Sequence, residues 1–97
     1  MNSIMILGSL AERTRLEALR LVWDGNEHCV CELMEALGAT QSRMSRHMAT
    51  LKLAGLVTDR RDAQWVRYTR AADLPEQVVV LVNAALALPT PQERQAA

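Results

Sequence analysis

The stretch Thr40–Val57, Thr-Gln-Ser-Arg-Met-Ser-Arg-His-Met-Ala-Thr-Leu-Lys-Leu-Ala-Gly-Leu-Val, leaves this chain few ways to fold. Met44, Met48 and Leu51 recur at i, i+4 and i+7, the spacing of one helical stripe turned toward a core. At about 100° per residue, Ser42, Arg46 and Thr50 fall opposite that stripe and Arg43 beside them, so the outward face combines hydroxyls with guanidinium groups. Thr40 is suited to cap the helix, and Ala54-Gly55 to end it before the apolar Leu56-Val57.

An outward face of this kind is either solvated surface or a surface that bonds phosphates and base edges. The flanking segments favour the second. Upstream, Val30-Cys-Glu-Leu-Met-Glu-Ala-Leu37 reads as a short amphipathic helix ending at Gly38-Ala39, and two helices joined by a tight Gly-containing turn make a helix-turn-helix. Downstream, Val57–Arg61 and Gln64–Arg70 read as strands. Asp62-Ala63 lacks the Gly or Asn that a two-residue turn favours, so a longer loop is expected, with Arg60, Arg61 and Arg67 near its tip as phosphate or minor-groove contacts. The fold class expected is mainly α with a small β-hairpin, a winged helix-turn-helix. The DNA-contacting candidates are Gln41, Ser42, Arg43, Ser45, Arg46, His47, Thr50, Arg60, Arg61 and Arg67.

The net charge of zero does not argue against DNA, because the charge is polarised. Residues 40–70 hold seven Lys or Arg against two Asp, a net +5, and the remainder holds four against nine. With 97 residues, 49% of them apolar, the chain fits one domain with one core. Its three aromatics, Trp23, Trp65 and Tyr68, leave that core to aliphatic and Met side chains. Ile4–Leu10 reads as a short helix or extended lead-in, and Glu12–Trp23 as a helix whose buried stripe is Leu16, Leu19 and Trp23 with Val22 and Ala18 beside them. The apolar run at the start is too short for a signal peptide or a membrane span, so a cytoplasmic protein with reduced cysteines is expected.

Pro75 can open a last helix over Gln77–Leu88, apolar on nearly every side. A small chain cannot cover such a helix alone. A homodimer is therefore expected, with Val78–Leu88 packed on its symmetry mate and Ile4–Leu7 joining in. Two recognition helices related by a two-fold axis then read a palindrome. Residues 1–88 form the winged-helix domain with its dimerisation helices, and 89–97 a flexible tail.

Cys29-Val-Cys31 is the second informative feature. Cys29 stands where an N-cap belongs, with Glu32 three residues on, so the segment resembles a capping box with a thiol in place of a hydroxyl. A helix start favours thiolate, the form that binds soft ions, while Glu27, Glu32 and Glu35 oppose it. Two helical residues at i and i+2 point about 200° apart, so an ion gripped by both sulfurs is expected to unwind the first turn and to pass that strain through Gly38 to the recognition helix. Three rival readings use the same residues: two small buried hydrophobes, a zinc site from His28, Cys29, Cys31 and His47, and a redox sensor in which the thiols oxidise. No catalytic constellation is visible, since Ser45 and His47 diverge on a helix, and no enzyme is expected.

Leu10-Ala-Glu-Arg-Thr-Arg-Leu16, Cys29-Val-Cys-Glu-Leu33, Ser42–Leu51, Ala54-Gly-Leu-Val57 and Arg60–Tyr68 together resemble the ArsR/SmtB family of metal- and metalloid-responsive repressors, in particular its arsenical-resistance operon repressors. The resemblance implies a dimeric winged helix that leaves operator DNA when trivalent arsenic or antimony binds Cys29 and Cys31, with no organic cofactor. Members with a three-thiol box carry a cysteine where this chain has Met34, a weaker ligand and a better core filler. Two thiolates with a hydroxide or an external thiol would complete an arsenic site. The zinc ligands that a second branch carries on the last helix have no counterpart in Val78–Leu88.

Overall fold

The computed structural model describes residues 1–89, and the expected tail lies almost wholly outside the described residues. Five helices and three strands follow one another: α1 (Ser3–Leu10), α2 (Arg13–Val22), β1 (His28–Cys29), α3 (Val30–Leu37), α4 (Gln41–Leu53), β2 (Val57–Asp62), β3 (Trp65–Arg70) and α5 (Glu76–Ala87). The strands form one antiparallel sheet in the order β1-β3-β2. This is the winged helix-turn-helix read from the sequence, with a third strand added.

Local chemistry sets the helix ends. Asn2 accepts from the Met5 amide at 3.1 Å, Glu12 from that of Arg15 at 2.8 Å and Thr40 from that of Arg43 at 3.3 Å, so α1, α2 and α4 each begin with one of their free N–H groups bonded. Arg15 turns back to donate to the carbonyls of Ser9 at 2.8 Å and Gly8 at 3.3 Å, which closes the α1–α2 corner. Gly38 ends α3 at φ +65°, a backbone conformation that a side chain would strain, and its N–H bonds the Met34 carbonyl.

The core runs through the middle of the helical layer. Leu19 and Val22 of α2, Leu33 of α3, Met44, Met48 and Leu51 of α4, Leu56 and Val82 are all fully buried. The periodic stripe of α4 is thus the inner face, as its spacing requires. Met34 is partly buried against this core.

Two expectations are corrected. The hairpin has no longer loop: Asp62 pairs directly with Trp65, leaving Ala63-Gln64 as a two-residue turn in which Ala63 takes φ +55° without a Gly. Also, His28–Cys29 is a strand, pairing His28 with Tyr68 and Cys29 with Arg67. Two residues are too short for alternation to signal.

On α5 only Val78 and Val82 are buried, while Val80 is 61% exposed and Leu88, just past the end of the helix, 66%. Polar contacts fix its path. Arg20 donates to the Leu86 carbonyl at 2.9 Å, and the Trp23 indole N–H to Asn83 Oδ1 at 2.7 Å. Arg70, at the end of β3, lies over the Trp23 ring at 4.2 Å.

Removing the buried Leu51 side chain in Leu51→Ala should cost about 2–5 kcal/mol. The neighbouring Leu53, 75% exposed, should lose no more than about 0.5 kcal/mol as Leu53→Ala. Urea unfolding at one fixed protein concentration checks both, and equal midpoint shifts would contradict the packing described.

Candidate nucleic-acid interface and thiol site

The outer face of α4 is built by the burial of its inner one. With Met44, Met48 and Leu51 in the core, Gln41, Ser42, Arg43 and Arg46 are left exposed. Neither Arg43 nor Arg46 makes a salt bridge among the described residues, so both guanidinium groups are free for an anion. Ser45 and Thr50 are half-buried at the edges of this face, and the Thr50 hydroxyl donates to the Arg46 carbonyl at 3.1 Å. His47 turns elsewhere. Its side chain is 16% exposed, with Nδ1 at 3.4 Å from Arg15 Nη1 and 3.9 Å from Glu12 Oε1, against the start of α2.

The three wing arginines differ in the same way. Arg60 forks Glu27, Nε to Oε2 at 2.8 Å and Nη2 to Oε1 at 2.7 Å. Arg67 donates to Asp62 at 2.8 Å. Arg61 is exposed and has no ionic partner among the described residues. Lys52 pairs with Asp59 at 2.9 Å, tying the end of α4 to β2. These pairs show in the acidities: bonding to Arg60 holds the Glu27 carboxyl below its usual range and raises Arg60, and bonding to Arg67 lowers Asp62.

The thiol site lies at the junction of β1 and α3. Cys29 is the N-cap residue, at φ −62° and ψ 143°, and Val30 is the first helical residue. Its sulfur accepts from the Cys31 amide at 3.2 Å, and Glu32 Oε1 accepts from the Cys29 amide at 3.3 Å, so the thiol-for-hydroxyl capping box is formed. Because Cys29 is extended and outside the helix, the 200° argument does not apply to it. The two sulfurs meet without unwinding the first turn, and in this structure they are joined as a disulfide rather than present as the expected thiols. Cys29 is buried and Cys31 half-buried, which gives the pair one open side.

His28 precedes the pair and faces two carboxylates, Nε2 at 2.9 Å from Asp24 Oδ1 and Nδ1 at 3.3 Å from Glu32 Oε2. Burial pushes its pKa down, but the bonds and charges of Asp24 and Glu32 outweigh burial and leave it raised; bonding to His28 lowers Asp24. His28 and His47 therefore have separate partners. Among the described residues no three His, Cys, Asp or Glu side chains converge as a metal cage, so the four-ligand zinc reading is not assembled. The only sulfurs of the described cysteines, those of Cys29 and Cys31, are brought together as a disulfide.

Sequence reasoning did not single out Asp24, Glu27 or Arg15 as partners of these groups. The i, i+4 spacing of Asp24, His28 and Glu32 was a usable signal; the 33-residue separation of Glu27 from Arg60 offered none. No described helix is long and apolar enough to cross a membrane.

Comparison with known proteins agrees with this arrangement. Residues 6–59 match the arsR family of bacterial regulatory proteins. The arsenic resistance transcriptional regulator ArsR2 of Pseudomonas putida is 41% identical over 81 residues, covering 84% of this chain and 70% of that protein. The arsenical resistance operon repressor of Escherichia coli is 35% identical over 82 residues, with the same coverage. Among solved structures, HlyU from Vibrio cholerae superposes with a TM-score of 0.72 at 34% identity, over 84% of this chain and 85% of that one. The homodimeric winged helix-turn-helix domain of a possible ArsR-family regulator from Mycobacterium bovis gives 0.69 at 28%, over 84% and 71%. A family match across more than half of the chain, with a relative 41% identical over most of its length, means that this protein belongs to the arsR family of bacterial regulatory proteins.

Proposed function

We propose that this protein is a homodimeric, cytoplasmic repressor of a metalloid-resistance operon, released from a palindromic operator when trivalent arsenic or antimony binds Cys29 and Cys31. The observation that carries the reading is the meeting of two sulfurs at the N-cap of α3, beside the wing and one helix away from an exposed basic face. The names of the two bacterial relatives support it, since both are arsenic-resistance regulators.

The exposed Gln41, Ser42, Arg43 and Arg46 enter the major groove, with Ser45 and Thr50 at the rim and Arg61 on the wing reaching phosphate or the minor groove. The dimer forms through α1 and α5. Ile4, Leu7, Val80, Leu81 and Leu88 leave apolar surface open there, around a cleft of about 320 Å³ lined by Met1, Ile6, Pro75, Val78 and Leu81 together with Ser3 and Gln77. A two-fold axis through these helices sets two copies of α4 about one DNA turn apart, roughly 34 Å. The domain thus comprises residues 1–88.

The inducer reacts with the dithiol form. Arsenous acid, with three hydroxides on arsenic, exchanges two of them for the two sulfurs; the two thiol protons leave with those hydroxides as water. The third hydroxide stays or is exchanged for an external thiol. Met34, a thioether partly buried against the core, takes no part.

The disulfide seen in the structure favours a second reading, a repressor whose signal is oxidation of the same pair. Excess reductant separates the two. It abolishes a redox response and leaves an arsenite response intact.

Fluorescence anisotropy of a labelled operator duplex tests the central claim: reduced wild-type protein binds and arsenite releases it, whereas Cys29→Ser binds and is not released. Release from Cys29→Ser at wild-type arsenite concentrations would move the sensor elsewhere. Arg46→Ala should raise the operator Kd by roughly tenfold or more, in line with about 1–3 kcal/mol for a base or phosphate contact, with the dimer intact by sedimentation. Leu81→Glu should convert dimer to monomer in the same sedimentation experiment, and a persisting dimer would exclude the α1–α5 interface.

A further inference from the structure

We infer that Glu27 is a positioning residue that ties the thiol site to the wing, so that a ligand on Cys29 and Cys31 reaches DNA through β1, β3 and Arg60 rather than through α3 and the turn into α4. This route presupposes the thiol-ligand site proposed above and specifies how that site is wired. Two observations carry it.

The first is register. Cys29 stands directly opposite Arg67 in the β1–β3 ladder, and His28 opposite Tyr68, so the backbone that carries the first sulfur is hydrogen-bonded into the middle strand of the wing. The second is the fork. Glu27, immediately before β1, reaches past β3 to hold Arg60 of β2 through two bonds of 2.8 and 2.7 Å, and Arg60 is itself opposite Arg67 in the β2–β3 ladder. A bidentate pair fixes direction as well as distance. Arg67 also donates to Asp62, the last residue of β2 before the turn, but that pair lies wholly inside the wing and is not a link in the route.

The competing route is longer and softer. α3 has eight residues, about 12 Å of helix, and the thiol site is at its far end from α4. The signal would then have to cross the Gly38–Thr40 turn. At the near end, by contrast, a displacement of Cys29 is a displacement of the sheet, and Glu27 carries it across all three strands. Arg60, held in this way, fixes β2, and with it the neighbouring exposed Arg61, in a position that the segment before the thiol site dictates.

An exposed ion pair contributes little to stability, so it can be removed without unfolding the chain. The experiment uses the full chain, reduced, and reads the release ratio, the operator Kd with saturating arsenite divided by that without, from anisotropy. Glu27→Gln and Arg60→Gln should each cut the wild-type ratio by about threefold or more, and the double variant should fall no further than the lower single one, because the pair acts as a unit. Asp62→Asn, which breaks a pair inside the wing but leaves the tie to β1, should keep the wild-type ratio. Loss of thiols reactive toward an aromatic disulfide reagent follows arsenite binding independently of DNA. Protected thiols with an unchanged ratio in Glu27→Gln, a double variant that falls by the product of the singles, or an equal fall in Asp62→Asn would overturn the route alone. Thiols left unprotected in the wild type would overturn the thiol-site reading and the route with it.

Discussion

The placement of the charged and hydroxyl groups of α4 depends on the burial of one stripe, Met44, Met48 and Leu51. These three side chains have no exposed surface, so the rotation of the helix about its own axis is set by the core and not by its polar residues. Once that rotation is fixed, Arg43 and Arg46 must face outward and His47 must lie against Glu12 and Arg15. Thr40 at one end and Gly55, at φ +87°, at the other confine the helix to a definite length.

The wing is fixed by a different kind of force. Its strands bury little: β2 has only Val57 buried and β3 only Tyr68. What organises them is backbone pairing, extended by β1, and a set of ion pairs that use up some of the basic residues which a charge count would assign to DNA. The +5 of residues 40–70 is thus divided. Arg60, Arg67 and Lys52 are partnered by Glu27, Asp62 and Asp59 and Arg70 lies over Trp23, while Arg43, Arg46 and Arg61 have no ionic partner among the described residues. A polarised charge distribution locates a binding face, and only geometry separates the arginines that shape it from those free to touch a ligand.

Periodicity made the helices legible because burial of one face is what a 3.6-residue repeat encodes. The bounds of α3 and α4, the left-handed Gly38 and the thiol capping box at Cys29 all follow from local chemistry within a few residues, and all are present. The features that were not legible depend on partners far away in sequence or on conformations that residue type disfavours. Ala63 adopts positive φ because Asp62 and Trp65 are locked in register on either side of it. β1 exists only because β3 is there to pair with it. The expectation that Cys29 and Cys31 diverge failed for a related reason: it treated both as helical, whereas strand pairing holds Cys29 extended up to the first residue of the helix.

The contacts of Trp23 have an optical consequence. One of the chain's two tryptophans has its indole N–H bonded to Asn83 of α5 and its ring under the guanidinium of Arg70, at the seam where the last helix meets the base of the wing; the other, Trp65, flanks the hairpin turn. A nearby cation and a hydrogen bond at the ring nitrogen both alter the emission of an indole. The unlabelled protein therefore carries two native indole fluorophores at opposite ends of the sheet, one reporting the seat of α5 and the other the state of the wing tip. Substituting either one leaves a single-site reporter that needs no attached dye.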